Sequence, residues 1–488
     1  MSGIEPGTLI SRDKLEVHHS KMWYSLLIVL VVVLGAASQL LVLDSKKLAL
    51  LKSKSAIGSK PDSKRLLLTP LLEEGKVATS RKLARVHGGP FPADILSYSG
   101  YFTVDKKYNS NMFFWFFPAE NVTYPNAPVV VWLQGGPGGS SMYGLFTELG
   151  PYRISEFNET LETIPYAWTK NYSVLFIDNP VGTGFSFTDH EEGFARNETQ
   201  VGDNLYSLLV QFYTMFPELQ DRDLYINGES YAGKYIPAIG YTIYKRNPTA
   251  DIKINLKGLI IGNGLSDPIT SAFHYSDFVF QLGLIDRRTR DEMREIEESG
   301  RENIREGNYM DARRNWGNAI SMFAMNAHYG HLYNYLYTEE QQVGGDYVAF
   351  LRRPDVRKAL HVGKAYFQEI SGYVYEKLLE DTMQSVKPWV EELLDNDYRI
   401  VYYSGQMDII VGYPMSTLYY ESLEFKDAQE YRNAPRKPWY VGDDLAGYSR
   451  TGGNFTEVMV RNAGHMVPSD QPEWALNLIN KITTGEEF

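Results

Sequence analysis

Residues 224–234 read LYINGESYAGK, a short apolar run that ends in glycine and sets Ser230 directly before a helical pattern. Gly228 stands two residues before the serine, and Ala232 and Gly233 follow it closely. A serine that must rise out of a sheet on a cramped strand-to-helix bend needs small neighbours, and this spacing supplies them as G-x-S-x-A-G. The same letters from Gly228 to Lys234 fit the start of a phosphate-binding loop. Tyr235, however, stands where such a loop needs the Ser or Thr that holds Mg²⁺, which argues against nucleotide binding.

Upstream, residues 129–140 read VVVWLQGGPGGS, an apolar strand running into four glycines. Such a loop exposes backbone N–H groups, the donors that an oxyanion hole uses, and it follows an early strand, where hydrolases of this kind carry one of them. Downstream, an apolar run over 400–403 leads to Asp408, and a second over 458–461 leads to His465. Taken alone, each reads as an ordinary acidic cap or a polar turn. Together the three side chains follow the chain order Ser…Asp…His, all just past strand ends, which is the α/β-hydrolase order.

Between these points apolar runs alternate with amphipathic stretches. Strands are predicted over 129–133, 174–177, 224–226, 259–261, 400–403 and 458–461, and helices over 203–216, 235–245, 374–394 and 474–482. Strands separated by helices imply a mostly parallel sheet covered on both faces. The rhythm breaks over about 269–347, where a charged helical pattern (RRTRDEMREIEESGRENIREG) is read as a cap inserted over the sheet. Its individual charges read as a solvated helix face.

The chain has 488 residues, 43% of them apolar and 22% charged, an ordinary globular composition with length for a large core. A net charge of −12 argues against nucleic acid as a partner. Cysteine is absent, so disulfides, thiolate metal sites and a cysteine nucleophile are all excluded. No metal or other cofactor is expected. His328 and His331 lie in the insertion and read as surface residues.

Residues 1–22 form an N-terminal segment, and 23–43 (WYSLLIVLVVVLGAASQLLVL) read as a signal peptide or an uncleaved signal anchor. Such a run just spans the roughly 30 Å hydrocarbon layer, so a single-pass type II anchor stands as the alternative to cleavage. Either way the chain enters the secretory pathway, and the membrane is met only through this segment. Residues 44–85, rich in Lys, Leu and Ser, read as a linker or pro-segment, which leaves 86–488 as the catalytic domain. Five sequons, at Asn121, Asn158, Asn171, Asn197 and Asn454, are glycosylation candidates for a luminal or extracellular protein.

The blocks WLQGGPGGSS, IDNPVGTGFSF, NGESYAGKYIPA, LKGLIIGNG, SGQMDII and AGHMVPSDQP resemble the signature blocks of serine carboxypeptidases, in details similar to the vitellogenic carboxypeptidase-like branch. The resemblance runs from about Leu67 to the C-terminus. It implies release of single residues from peptide C-termini through an acyl-enzyme at acidic pH, in a lysosome, vacuole or secretion. It also implies roles: Ser230 as nucleophile, His465 as general base and then acid, and Asp408 as the orienting carboxylate. The N–H groups of Gly136 and Tyr231 would hold the oxyanion, and Gln134, Gly135, Glu148 and Glu229 would grip the substrate's terminal carboxylate. Gln134 stands where many members have Asn, and Gly139 where many have Cys. An esterase or acyltransferase using the same triad, a catalytically silent binding member, and a homodimer are left open by the sequence.

One outcome follows from composition alone. With no disulfide to restrict the unfolded chain, reducing agent leaves the melting temperature unchanged in paired thermal scans. A reproducible fall of several degrees would contradict this.

Overall fold

The computed structural model describes residues 64–122, 124–156, 160–339 and 345–488. The predicted N-terminal segment, the 23–43 apolar run and Asn158 lie outside the described residues. Twelve strands are found among them: β1 (Tyr98–Asp105), β2 (Ser110–Phe117), β3 (Val129–Leu133), β4 (Tyr152–Ile154), β5 (Leu161–Thr163), β6 (Ser173–Ile177), β7 (Leu224–Glu229), β8 (Leu256–Gly262), β9 (Arg399–Gly405), β10 (Lys437–Val441), β11 (Asp444–Gly452) and β12 (Phe455–Val460).

Strand β3 shows why the sheet is layered. Val129, Val131 and Leu133 join one buried cluster, while Val130 and Trp132 join another on the opposite face. Side chains alternate along a strand, so a run that is apolar at every position must be buried on both faces. The resulting ten-stranded sheet has the order β1-β2-β6-β3-β7-β8-β9-β12-β11-β10, with β4 and β5 forming a separate pair. Its six central strands, β6 to β12 in that order, are parallel. Antiparallel hairpins extend both edges. This is an α/β-hydrolase sheet.

Helices Glu198–Met215, Ala232–Arg246 and Lys387–Asp395 contribute to the cluster on one face. Helices Met142–Thr147, Tyr347–Arg352 and Pro472–Thr484 contribute to the other. A third cluster joins Phe273, Met293, Trp316 and Phe323 to Met383, Ile409 and Met415. It holds helices Tyr275–Gln281, Arg287–Arg305 and Tyr309–Ala327 against the ends of the central strands. Backbone bonds tie the same region to the loop carrying Asp408: Tyr335 N–H to Met407 O (2.9 Å) and Ile409 N–H to Leu332 O (3.0 Å).

Several elements differ from the sequence reading. The single helix predicted over 374–394 is broken into Gly372–Lys377, a 3₁₀ turn at Asp381–Met383 and Lys387–Asp395. Pro388 lacks an N–H and clashes with a preceding helical turn, so it opens a helix here instead of continuing one. Strands β1 and β2 were not anticipated; β2 (SNMFFWFF) is buried at every position and has no polar alternation to announce it. The hairpin β10–β11 was missed for the opposite reason, being polar and half-exposed at the sheet edge.

Within the stretch read as a linker or pro-segment, the described residues 64–85 pack against the sheet. Leu68 N–H bonds Tyr101 O (2.9 Å), and helices Thr69–Glu73 and Val77–Ala84 lie against the sheet. Leu68, Leu72 and Ala84 are buried in the core, and Thr69 Oγ1 donates to Gln211 Oε1 (2.6 Å). Apolar anchors spaced among lysines and serines were enough to order this segment once a sheet face was there to receive them. Replacing Leu68, which is 0% exposed, by Ala is therefore expected to cost about 2–5 kcal/mol in urea unfolding. In a true linker the same change would cost nothing measurable.

Candidate active site

The chemistry-bearing residues converge at the carboxyl ends of the parallel strands, where open α/β sheets bind their ligands. Ser230 follows β7 directly and is half-buried, with φ +65°. That left-handed backbone is costly for any residue with a Cβ and persists only where the surroundings impose it. Three backbone bonds do so: Ser230 N–H to Gly262 O (2.9 Å), and Gly233 and Leu265 N–H to Ser230 O (2.9 and 3.1 Å). A Cβ on Gly228 would lie 2.1 Å from Leu133 O, and one on Gly233 would lie 2.7 Å from Leu265 N. Both glycines are thus dictated by close backbone approach.

Asp408 and His465 meet behind this elbow. His465 Nδ1 and Asp408 Oδ2 are 2.7 Å apart, with the two residues 3% and 0% exposed. Asn263 Nδ2 donates to the same oxygen (2.8 Å), while Gly405 N–H donates to Asn263 Oδ1 (3.2 Å) and fixes the amide. Tyr333 O accepts the His465 N–H (2.6 Å), and the Tyr333 ring stacks on the imidazole at 5.0 Å. His465 Nε2 is buried and bonds no described residue. The ring is therefore held from one edge and one face, with its other nitrogen uncommitted.

The glycine loop after β3 presses against the elbow. A Cβ on Gly135 would lie 2.5 Å from Tyr231 N and 2.7 Å from Ser230 Cβ. Gly136 takes φ +115°. The loop brings Gln134 to Glu229: Gln134 Nε2 donates to Glu229 Oε1 (2.6 Å), and Trp132 Nε1 donates to Gln134 Oε1 (2.9 Å), which settles the amide's orientation. Glu148 ends the Met142–Thr147 helix and interacts with both Glu229 and Gln134, though neither of its oxygens meets hydrogen-bond geometry. Both glutamates are buried, at 3% and 1% exposure. Burial pushes the Glu148 carboxyl up to about 8. Burial, followed by the charge of Glu148, pushes Glu229 well above the usual carboxylate range.

The serine carboxypeptidase family profile matches residues 88–485. The chain belongs to the serine carboxypeptidase family. It is 47% identical over 432 residues to the venom serine carboxypeptidase of Apis mellifera, covering 87% of this chain and 91% of that one. It is 42% identical over 434 residues to the vitellogenic carboxypeptidase of Aedes aegypti, covering 86% and 89%. In fold it is similar to a prohormone-processing carboxypeptidase of Saccharomyces cerevisiae, with TM-score 0.72, 24% identity, and 83% and 96% of the two chains covered.

In this carboxypeptidase the structure also reveals residues that sequence reasoning missed. Asn263 lies in the block LKGLIIGNG just past β8, a position at the carboxyl end of a parallel strand that could have marked it. Tyr333 carried no signal, since its contact with His465 spans the insertion. His331, read as a surface residue, is 6% exposed, with its ring 5.7 Å from that of Tyr333. It is buried because residues 331–335 fold back onto the Asp408 loop, and burial pushes its imidazole down. His328 is exposed, as expected. Among the sequons, Asn121 and Asn197 are exposed and Asn171 and Asn454 half-buried. No group of three metal-ligating side chains occurs among the described residues.

The buried carboxyls have a consequence for stability. Because the folded Glu148 binds its proton up to about pH 8 while the unfolded one releases it near its ordinary value of 4.5, the native state holds more protons between those limits. Stability therefore falls as pH rises through that window. Glu148→Gln, which cannot ionise, is expected to melt like the wild type near pH 4.5 and above it near pH 8. Parallel melting curves across this range check the sign.

Proposed function

We propose that Ser230 attacks the last peptide bond of a substrate while His465 Nε2 takes its proton, and that Asp408, seconded by Asn263, holds the imidazole by Nδ1. The same histidine then returns the proton to the leaving amine, and water resolves the acyl-enzyme in a second half-cycle. The N–H groups of Gly136 and Tyr231 hold the oxyanion, a reading supported by the closeness of Gly135 to Tyr231 N. Gln134, Gly135, Glu148 and Glu229 receive the substrate's terminal carboxylate.

The observation that carries the carboxylate assignment is the buried pair next to the nucleophile. Two ionised glutamates would repel a substrate anion, whereas a pair sharing a proton can donate to it. Glu229 precedes Ser230 directly, and its Oε2 bonds no described residue, so it has an uncommitted oxygen to offer. The raised proton affinities favour work at acidic pH. They also favour peptide acids over neutral esters, which have no anion to recognise. For location, the 23–43 run and the sequons support entry into the secretory pathway and a secreted or lysosomal destination. Among the described residues no helix is long and apolar enough to cross a membrane.

A paired pH profile tests this reading. For a free-acid peptide, KM should rise as pH climbs toward and past about 8, where Glu148 gives up its proton, whereas the KM of the corresponding C-terminal amide should stay flat. Glu229→Gln, able to donate at every pH, should flatten the free-acid profile. Identical wild-type profiles for acid and amide would overturn the shared-proton grip.

A further inference from the structure

Beneath the elbow lies a second set of buried ionisable groups that the reaction described above does not use. Lys234, in the first turn of helix Ala232–Arg246, has a fully buried side chain, and its Nζ lies 2.5 Å from Asp381 Oδ2, with the carboxylate side chain 3% exposed. The ammonium also donates to the Asp381 backbone carbonyl. The Tyr231 hydroxyl donates to Asp381 Oδ2 (2.8 Å). Glu198, at the start of helix Glu198–Met215, is 2% exposed and has no hydrogen bond on either carboxyl oxygen. Burial, followed by the charge of Asp381, pushes Glu198 well above the usual carboxylate range.

This arrangement opposes every local preference. A lysine in the first turn of a helix faces the positive end of the helix dipole. A buried ion pair loses more hydration than it recovers unless its geometry is excellent, and apolar residues of similar volume commonly serve as well. Asp381 also sits on a single 3₁₀ turn, in a stretch broken between two helices. What the pair gains is a hold on one residue. Tyr231 is gripped at its hydroxyl by Asp381, its ring lies 5.4 Å from Lys234 Nζ, and the Tyr235 ring packs edge-on at 5.3 Å. Tyr231 follows Ser230 directly, and its backbone N is the atom that a Cβ on Gly135 would meet at 2.5 Å.

We propose that Asp381, charge-balanced by Lys234, is a positioning residue for the oxyanion site, fixing Tyr231 through its hydroxyl so that the backbone N–H after Ser230 is held in aim. The inference rests on the assignment of Ser230 and the Tyr231 N–H made above. Loss of the hold loosens a donor that matters most when negative charge develops on the substrate oxygen, so it acts on kcat and leaves KM alone.

The test uses the purified full-length chain and an N-blocked dipeptide with a free C-terminus. Lys234→Met combined with Asp381→Asn removes both charges but keeps an acceptor for the Tyr231 hydroxyl. Lys234→Met combined with Asp381→Leu keeps, at position 381, the number and branching of side-chain heavy atoms and removes the acceptor, and Tyr231→Phe removes the donor. The Asn double variant should retain kcat within about threefold, whereas the Leu double variant and Tyr231→Phe should each lose about tenfold in kcat at unchanged KM. A packing role alone would move the melting temperature and would not separate Asn from Leu in kcat. Equal kcat in the two double variants, or wild-type kcat in Tyr231→Phe, overturns the inference. Should the double variants fail to fold, Tyr231→Phe, which lacks one oxygen atom, decides alone. Ser230→Ala serves as the control: residual turnover there removes the underlying assignment, while a dead Ser230→Ala beside an unimpaired Tyr231→Phe removes only this inference.

Discussion

The left-handed backbone at Ser230 is the constraint to which the rest of the site answers. At φ +65° the residue is strained, and it stays so because three neighbouring backbones close around it. Its own N–H and C=O are taken by the ends of β8 and the turns beyond, and β3 approaches so closely that Gly228 has no room for a Cβ. Once the elbow is set, the N–H groups on either side of the serine and the loop after β3 have only one way to pack. The parallel sheet thus acts as a rigid frame that stores the strain of one residue.

Charge burial divides the site into two kinds of carboxyl. Asp408 is met by N–H donors from Asn263 and lies against His465 Nδ1, an arrangement suited to orienting an imidazole. Burial disfavours the charged form of Glu148, and no hydrogen-bond donor meets its oxygens to offset that. Both carboxyls are buried, and they differ in whether a donor meets them. Asp178, elsewhere in the same layer, is a third case: burial pushes it up to about 7 although it accepts from Ser140 Oγ and Phe185 N–H.

Without cysteine, the glycine loop is anchored by hydrogen bonds. Gly138 O accepts from Ser371 N–H (2.9 Å), Ser140 N–H donates to Glu369 O (2.8 Å), and Ser140 Oγ donates to Asp178 Oδ1 (2.5 Å). A Cβ on Gly138 would stand 2.9 Å from Ser371 O, so the two segments are as close as backbone permits. Each bond contributes only about 1 kcal/mol net, but several together, buried and cooperative, hold the loop without a covalent staple.

Much of this was legible in the chain. Apolar runs bounded by glycines announced the central parallel strands, because a strand buried on both faces needs apolar residues at every position. The placement of Ser230, Asp408 and His465 just past strand ends was legible because each follows an apolar run that breaks into small and polar residues. What sequence could not disclose were features set by approach across long separations: the burial of His331 and the stacking of Tyr333 on His465, the packing of residues 64–85 onto the sheet, and the break in the stretch 374–394. Only the family resemblance brought Glu148 to Glu229, and nothing in the sequence brought Lys234 to Asp381. Local periodicity reports which side of an element is apolar, while the distance between two charges, and the water excluded from around them, exist only after the layers have closed.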